Sequence, residues 1–225
     1  MSDQEPEGSA LFGHANARDQ AGIPLSDRMR PRSLAEMLGQ EHLIGEHKLL
    51  AKAIEADRIP SMILWGPPGT GKTTLARVVA HETKGHFEPF SAVLGGVPAL
   101  RQIIARASER KKLYGRPSVL FIDEIHRFNK AQQDALLPHV ERGTVILIGA
   151  TTENPSFAVN AALLSRARVF RLEPLDKDAL MALVRRALMD KERGLGEMEL
   201  EVDAGAIEVI ATLARGDARR ALGAL

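Results

Sequence analysis

"WGPPGTGKTT", residues 65–74, is the stretch on which the fold turns. It fits G-x-x-x-x-G-K-[ST] with Gly66, Gly71, Lys72 and Thr73, and it stands after the apolar run "SMILW" and before the helical spacing Leu75, Val78, Val79. That strand-to-helix context is what the pattern requires. The loop Gly66, Pro67, Pro68, Gly69, Thr70, Gly71, Lys72, Thr73, Thr74 is therefore the expected nucleotide cradle. Its glycines let backbone N–H groups turn inward around phosphate oxygens, and the helix that follows adds its positive end. Lys72 is expected at the β and γ phosphates, and the Thr73 hydroxyl at Mg²⁺. Read as a mere glycine-rich turn, the same stretch would strand Lys72 as a costly cation at an already positive helix end.

Working outward, the next chemistry-bearing run is "VLFIDEIHRF", about fifty residues after Lys72. An apolar strand ending in Asp123 sets a carboxylate beside the phosphate loop as a Mg²⁺ group. Glu124 follows at once, placed to orient and activate a water, which favours hydrolysis over transfer to a small acceptor. "TVILIGATT", 144–152, brings Thr152 to the strand end next to the γ-phosphate and the attacking water. ATP and Mg²⁺ are the expected cofactors.

The rest of the chain repeats one alternation. Short apolar runs, "SMILW" (61–65), "FEPFS" (87–91), "SVLFI" (118–122), "TVILIG" (144–149) and "RVFRL" (168–172), are separated by amphipathic stretches such as Leu100, Ile103, Ile104, Ala107, with Pro98 in a first helical turn. This predicts an α/β fold, a P-loop NTPase with a five-stranded parallel sheet flanked by helices. Pro89 marks "FEPFS" as an edge. After Pro174 no strand pattern appears, and helices are predicted from about Asp176, Asp203 and Asp217. The expected domains are a disordered tail at 1–23, an α/β nucleotide-binding domain at 24–174 and a small C-terminal helical domain at 175–225. That last domain reads as incomplete, because "RRALGAL" stops in mid-pattern.

Composition bounds the alternatives. The 225 residues, 44% of them hydrophobic, can build a substantial core. Thirty Lys+Arg against 29 Asp+Glu leave a net charge of +1, so any nucleic-acid contact must come from a local patch. Zero Cys excludes disulfides and thiolate zinc sites, and the seven His show no ligand-like pairing. No stretch is apolar enough to span a bilayer, and the acidic "MSDQEPEGS" lacks the basic region of a signal peptide, so the expectation is a cytoplasmic protein with no membrane partner. Leu11 and Phe12 in the tail read as an isolated apolar pair, against the alternative of a short peptide motif for a partner.

"ALLSRARVF", 162–170, sets Arg166 and Arg168 in an apparently apolar run, where an unpaired guanidinium would cost several kcal/mol. The nearest acids in sequence are Glu153 and Glu173, at no helical spacing from Arg166, so its anion is expected elsewhere, outside this chain. Arg168 opens the last strand.

Taken together, "GQEHLIG", "SMILWGPPGTGKTTLA", "DEIHRFNKAQQDALLPHVE", "GATTENPSF", "NAALLSRARVF" and "GDARRAL" resemble the AAA+ ATPases, and within them the clamp-loader-related replication-associated recombination protein A family, from about Pro24 to Leu225. The resemblance implies Walker A at Lys72 and Thr73, Walker B at Asp123 and Glu124, sensor 1 at Thr152, and sensor 2 at Arg219, carried by a helical lid. Leu25, Pro31, Leu38 and Gly39 fall in the segment that packs around adenine. Arg166 matches the arginine finger that enters the neighbouring subunit's site, with Ala167 in place of a Cys. Such a finger is worth about 10³ to 10⁵ in rate, roughly 4 to 7 kcal/mol. The implied whole protein is a homo-oligomer, of which this stretch alone is monomeric or weakly associated. It acts on DNA single-strand/duplex junctions, gaps or forks, with single-stranded DNA-binding protein as partner and a nucleoid-associated location.

Arg101, Arg127 and Lys130 are the candidate DNA contacts, though each reads equally as a solvated helix-end charge. Arg110, Lys111, Lys112 and Arg116 read as an exposed helix end, and His126 as a hydrogen-bonded structural residue. Two other readings compete. A protein-threading unfoldase would want an aromatic pore loop where "VLGG", 93–96, has none. A non-hydrolysing switch has no use for Glu124, Arg166 and Arg219 together.

Overall fold

The structure is a computed structural model that describes residues 22–83, 85–91 and 95–225. In chain order its elements are α1 (Leu25–Arg28), a 3₁₀ turn (Leu34–Glu36), α2 (Glu41–Ile44), α3 (Leu49–Glu55), β1 (Met62–Trp65), α4 (Lys72–Glu82), β2 (His86–Ser91), α5 (Val97–Tyr114) and β3 (Ser118–Asp123). A 3₁₀ turn (Ile125–Arg127) leads to α6 (Lys130–Glu141), β4 (Val145–Thr151), α7 (Pro155–Ala158), α8 (Ala161–Leu164) and β5 (Arg168–Arg171). Then come α9 (Lys177–Met189), a 3₁₀ turn (Gly196–Met198), α10 (Ala204–Ala214) and α11 (Ala218–Gly223).

The five strands form one parallel sheet in the order β2-β3-β4-β1-β5. β2 and β5 are the edges, as Pro89 in β2 requires of that strand. Alternate side chains of each central strand enter opposite layers. Ile63, Leu120, Ile122 and Leu147 pack with Leu100, Ile103 and Ile104 of α5 and Leu136 of α6. Met62, Leu64, Val119, Phe121, Ile148 and Ala150 pack with Leu50 and Ile54 of α3 and Leu75, Ala76 and Val79 of α4. A third cluster joins Leu175, just before α9, with Leu180, Val184, Ile207, Ala211, Ala214 and Ala221 of the C-terminal helices.

β4 lies between β1 and β3, with Trp65 opposite Thr151 and Ile122 opposite Gly149. The carboxyl ends of β1, β4 and β3 therefore stand side by side, which is where α/β sheets of this kind hold ligands. Gly149 is needed there: a Cβ would lie 2.8 Å from the side chains of both Ile63 and Ile125. Helix starts are set by local caps: Asn129 with Gln132 in a reciprocal capping box, and Asp176, Asp203 and Asp217 accepting backbone N–H bonds at α9, α10 and α11.

The expectation for "ALLSRARVF" needs correction. Ser165, Arg166, Arg168 and Val169 are exposed, and only Leu163 and Phe170 of the stretch are buried. Arg166 follows α8 at the surface, where its Nε donates to Glu141 of α6 at 2.6 Å and its Nη1 to Ala162 O and Ser165 Oγ, both at 2.8 Å. Its anion is thus inside the chain, 25 residues upstream, and no buried charge is stranded. Arg168 opens β5 as expected. Of the tail at 1–23, residues 1–21 lie outside the described residues, as do Leu11, Phe12, and Val93 and Leu94 of "VLGG".

Candidate nucleotide site

The loop after β1 is held open by its own backbone. Gly69 and Gly71 have φ of +71° and +96°, so both occupy the left-handed region that glycine tolerates. Gly71 thereby caps α4, and Lys72, its first residue, is 8% exposed. Lys72 Nζ donates to Gly66 O and Pro67 O, both at 2.7 Å. Burial pushes the Lys72 ammonium below its usual pKa, against the pull of Glu124 and Asp123, while Arg219 adds to the lowering and Asp217 opposes it. Two carbonyls are a poor counter-charge for a buried ammonium; a phosphate would be a better one.

One cleft is lined by Pro68, Gly69, Thr70, Gly71, Lys72, Thr73 and Thr74 of the loop, by Asp123 and Glu124 at the end of β3, by Thr152 after β4, and by Arg219 of α11. The structure thus brings the separately spaced motifs into one wall. Gly66 and Pro67 do not line it and act through their carbonyls. Arg166 does not line it either. Thr73 and Asp123 offer oxygen donors of the type Mg²⁺ takes, but two protein oxygens leave an octahedral ion to complete its shell from phosphates and water. No group of three or more His, Cys, Asp and Glu side chains positioned for a metal occurs among the described residues.

Beyond these residues the cleft wall is largely apolar, with Ser26, Arg30 and Glu36 as its polar members. Met29, Met37, Leu175, Leu183 and Leu222 line it with Pro31 and Leu38. Of the four residues expected around adenine, only Pro31 and Leu38 face the cleft. Leu25 packs behind it against Met29, Leu183, Ala187 and Leu222, and Gly39 (φ +73°) backs onto Leu175. Met29, Met37, Leu175, Leu183 and Leu222 were missed. For Leu183 and Leu222 the only signal was helical periodicity, which does not tell a core-facing residue from a cleft-facing one.

Two further residues bind the parts together. Buried Gln40 donates through Nε2 to Thr70 O (3.3 Å) and Glu173 O (2.8 Å) and accepts from Glu173 N (3.2 Å), tying the N-terminal segment to the loop and to the chain after β5. Asp217 caps α11, and Ala218 N donates to Gly69 O at 3.2 Å, so the helix that carries Arg219 is bonded to the phosphate loop itself. A Cβ on Gly69 would lie 1.9 Å from Asp217 Oδ1.

Arg101, Arg127 and Lys130 are exposed and make no ion pair among the described residues. Of the expected helix-end cluster, Arg110 donates to Ser118 Oγ (3.1 Å) and Lys111 to Gly143 O (2.5 Å). No helix among the described residues is long and apolar enough to cross a membrane.

Comparison with known proteins agrees with this geometry. The chain is 52% identical over 203 residues to replication-associated recombination protein A of Coxiella burnetii, covering 90% of this chain and 46% of that protein. It is 52% identical over 207 residues to the protein of the same name from Escherichia coli K12, covering 92% and 46%. The chain therefore spans less than half the length of these relatives, and the resemblance carried by "DEIHRFNKAQQDALLPHVE" and "GATTENPSF" is borne out. Among solved structures it is similar to the Thermotoga maritima RuvB Holliday junction branch migration motor, with TM-score 0.71 and 32% identity over 87% of this chain and 63% of that one. The family model described as "ATPase family associated with various cellular activities (AAA)" matches residues 62–175, just over half of the 225. The chain belongs to the AAA family of ATPases.

Proposed function

We propose that this chain is the ATP-hydrolysing motor of a DNA-remodelling protein that acts in replication-fork maintenance and recombination. In this reading residues 24–174 are the nucleotide-binding unit and 175–225 a helical lid. The observation that carries it is the single cleft in which Lys72, Thr73, Asp123, Glu124, Thr152 and Arg219 converge from four separate stretches of sequence. Lys72 and Arg219 would neutralise the β and γ phosphates, Thr73 and Asp123 would hold Mg²⁺, and Met29, Met37, Leu183 and Leu222 would enclose the base. Glu124 accepts a hydrogen bond from the attacking water, and Thr152 orients that water at the γ-phosphorus.

Hydrolysis is completed between subunits of a homo-oligomer. Arg166 is absent from the wall of its own cleft and exposed on the surface, the arrangement a group acting on a neighbour's nucleotide requires. The DNA reading is supported by the names of the relatives and by Arg101, Arg127 and Lys130, three exposed cations at one end of the sheet. Gln132 of α6 donates to Gly95 O at 2.9 Å, which holds the start of α6 next to the segment that leads into α5. Junctions or forks are the proposed DNA substrates, with single-stranded DNA-binding protein as a partner and the nucleoid as the location.

The test is the ATPase rate of the full-length protein with no DNA, single strand, blunt duplex and forked duplex. Forked DNA is expected to stimulate most. No stimulation by any DNA would overturn the DNA part of the reading, and would favour instead a motor that remodels protein without acting on strands.

A further inference from the structure

His126 stands between the hydrolytic carboxylate and the end of β4. It is the middle residue of the 3₁₀ turn after β3, and its side chain is 11% exposed. Its Nδ1 lies 3.2 Å from Glu124 Oε2 and 3.0 Å from Thr151 Oγ1, while Nε2 faces Glu153 Oε1 at 3.6 Å. Contact between Nδ1 and a carboxylate oxygen is attractive only when Nδ1 carries the proton. The rest of the network agrees with that tautomer. Thr151 Oγ1 accepts from Glu153 N at 3.0 Å and donates to Glu153 O at 3.3 Å, which leaves it free to share the Nδ1 proton as an acceptor. Thr151 is 0% exposed, so this end of the network is shut off from solvent.

Glu124 itself is in an unusual backbone state. It has φ 53° and ψ 50°, left-handed for a residue with a Cβ, and Thr152, which lines the same cleft, continues directly from Thr151. A strained backbone aims the side chain, but a glutamate still has three rotatable bonds, and Glu124 is 36% exposed at the side chain. Something else must hold its carboxylate.

We propose that His126 is a positioning residue for hydrolysis: it grips Glu124 by Oε2, leaves Oε1 for the attacking water, and locks that geometry to the β4 terminus that carries Thr152. The base and the γ-phosphate sensor are then one rigid unit rather than two independent side chains. This inference rests on the hydrolytic reading of Glu124, and the experiment keeps the two apart.

ATP turnover and ATP affinity are measured on the full-length protein for wild type, Glu124→Gln, His126→Ala, His126→Asn and His126→Gln. His126→Ala is expected to lower kcat about 10- to 100-fold with KM for ATP within about twofold, because a misplaced base harms the chemical step and not the binding. Asn places an amide nitrogen near the position of Nδ1, so His126→Asn should recover most of the rate. Gln reaches toward the Glu153 side and should not. Unchanged or increased turnover in His126→Ala, or a loss shared equally by Asn, overturns the proposal. So does a fall in ATP affinity or melting temperature that accounts for the lost rate, since a purely structural histidine would give it. If Glu124→Gln itself hydrolyses ATP normally, the hydrolytic reading fails first.

Discussion

Gly69 carries two requirements that no other residue meets at once. Its φ of +71° is left-handed, and a Cβ would collide with Asp217 Oδ1 at 1.9 Å, the very carboxylate that caps the helix bearing Arg219. Gly69→Ala should therefore push α11 off the phosphate loop and break the bond from Ala218 N to Gly69 O. The expected outcome is ATP affinity reduced at least about 10-fold, with melting temperature falling by only a few degrees, as expected for a loss of about 1 to 2 kcal/mol in a domain this size. Isothermal titration with ATP and a thermal melt check it; wild-type affinity would show that α11 tolerates the shift. At this scale the sequence was informative wherever chemistry is local. Lys72, Thr73, Asp123 and Glu124 sit in contiguous motifs whose spacing already implies phosphate and Mg²⁺. Arg166 shows the opposite case: its partner Glu141 lies on another helix, so no local spacing could reveal it.

Between elements, a contact open to pH is the one that fastens α9 and the residues just after it to the N-terminal segment. Arg193 donates to Glu36 Oε2 at 2.9 Å and to Asp190 Oδ2 at 3.0 Å, and Arg186 donates to Glu36 O at 2.7 Å. Burial, the largest single influence on each carboxyl, pushes its pKa up. The hydrogen bonds and charge of Arg193, with backbone N–H donors at Arg32 for Glu36 and at Arg193 and Glu192 for Asp190, outweigh it, so both end below the usual carboxylate value. A depressed folded-state pKa contributes stability that is complete above the unfolded value and is lost as pH falls through the folded one. Stability should thus hold from neutral pH down to about the ordinary carboxylate pKa near 4 and decline below it. Arg193→Met should be less stable at pH 7 and should show a shallower decline between about pH 4 and 2, measured by urea denaturation across that range. Parallel curves for the two proteins would show that Arg193 does not set the shift. Helix positions and caps here were legible, since Asp176 and Asp203 announce themselves. Which helix faces the cleft was not: Leu183 and Leu222 have the same periodicity as core residues, and only the packing of α9 and α11 on Met29 assigns them.

On the scale of the whole molecule, the proposed function leaves one charge of the site, Arg166, outside the cleft of its own chain. Arg166 spends its guanidinium on Glu141 in an ion pair whose side chains are 39% and 46% exposed. An exposed pair of this kind is worth about 0 to 1 kcal/mol, so releasing Arg166 from Glu141 would cost little against the roughly 4 to 7 kcal/mol by which the proposed finger would stabilise a neighbour's transition state. This makes a mixing experiment decisive for the full-length protein. Arg166→Ala should bind ATP normally and lose most of its turnover, and Glu124→Gln should do the same for the opposite reason. Each retains the half that the other lacks. In random equimolar oligomers, an Arg166→Ala pocket meets a Glu124→Gln neighbour's intact finger at about one interface in four, so the mixture should regain up to about a quarter of the wild-type rate if interfaces act independently. Steady-state ATPase assays of the two variants alone and mixed give the answer. A mixture no faster than the mean of its parts would place Arg166 in its own subunit's chemistry or in none.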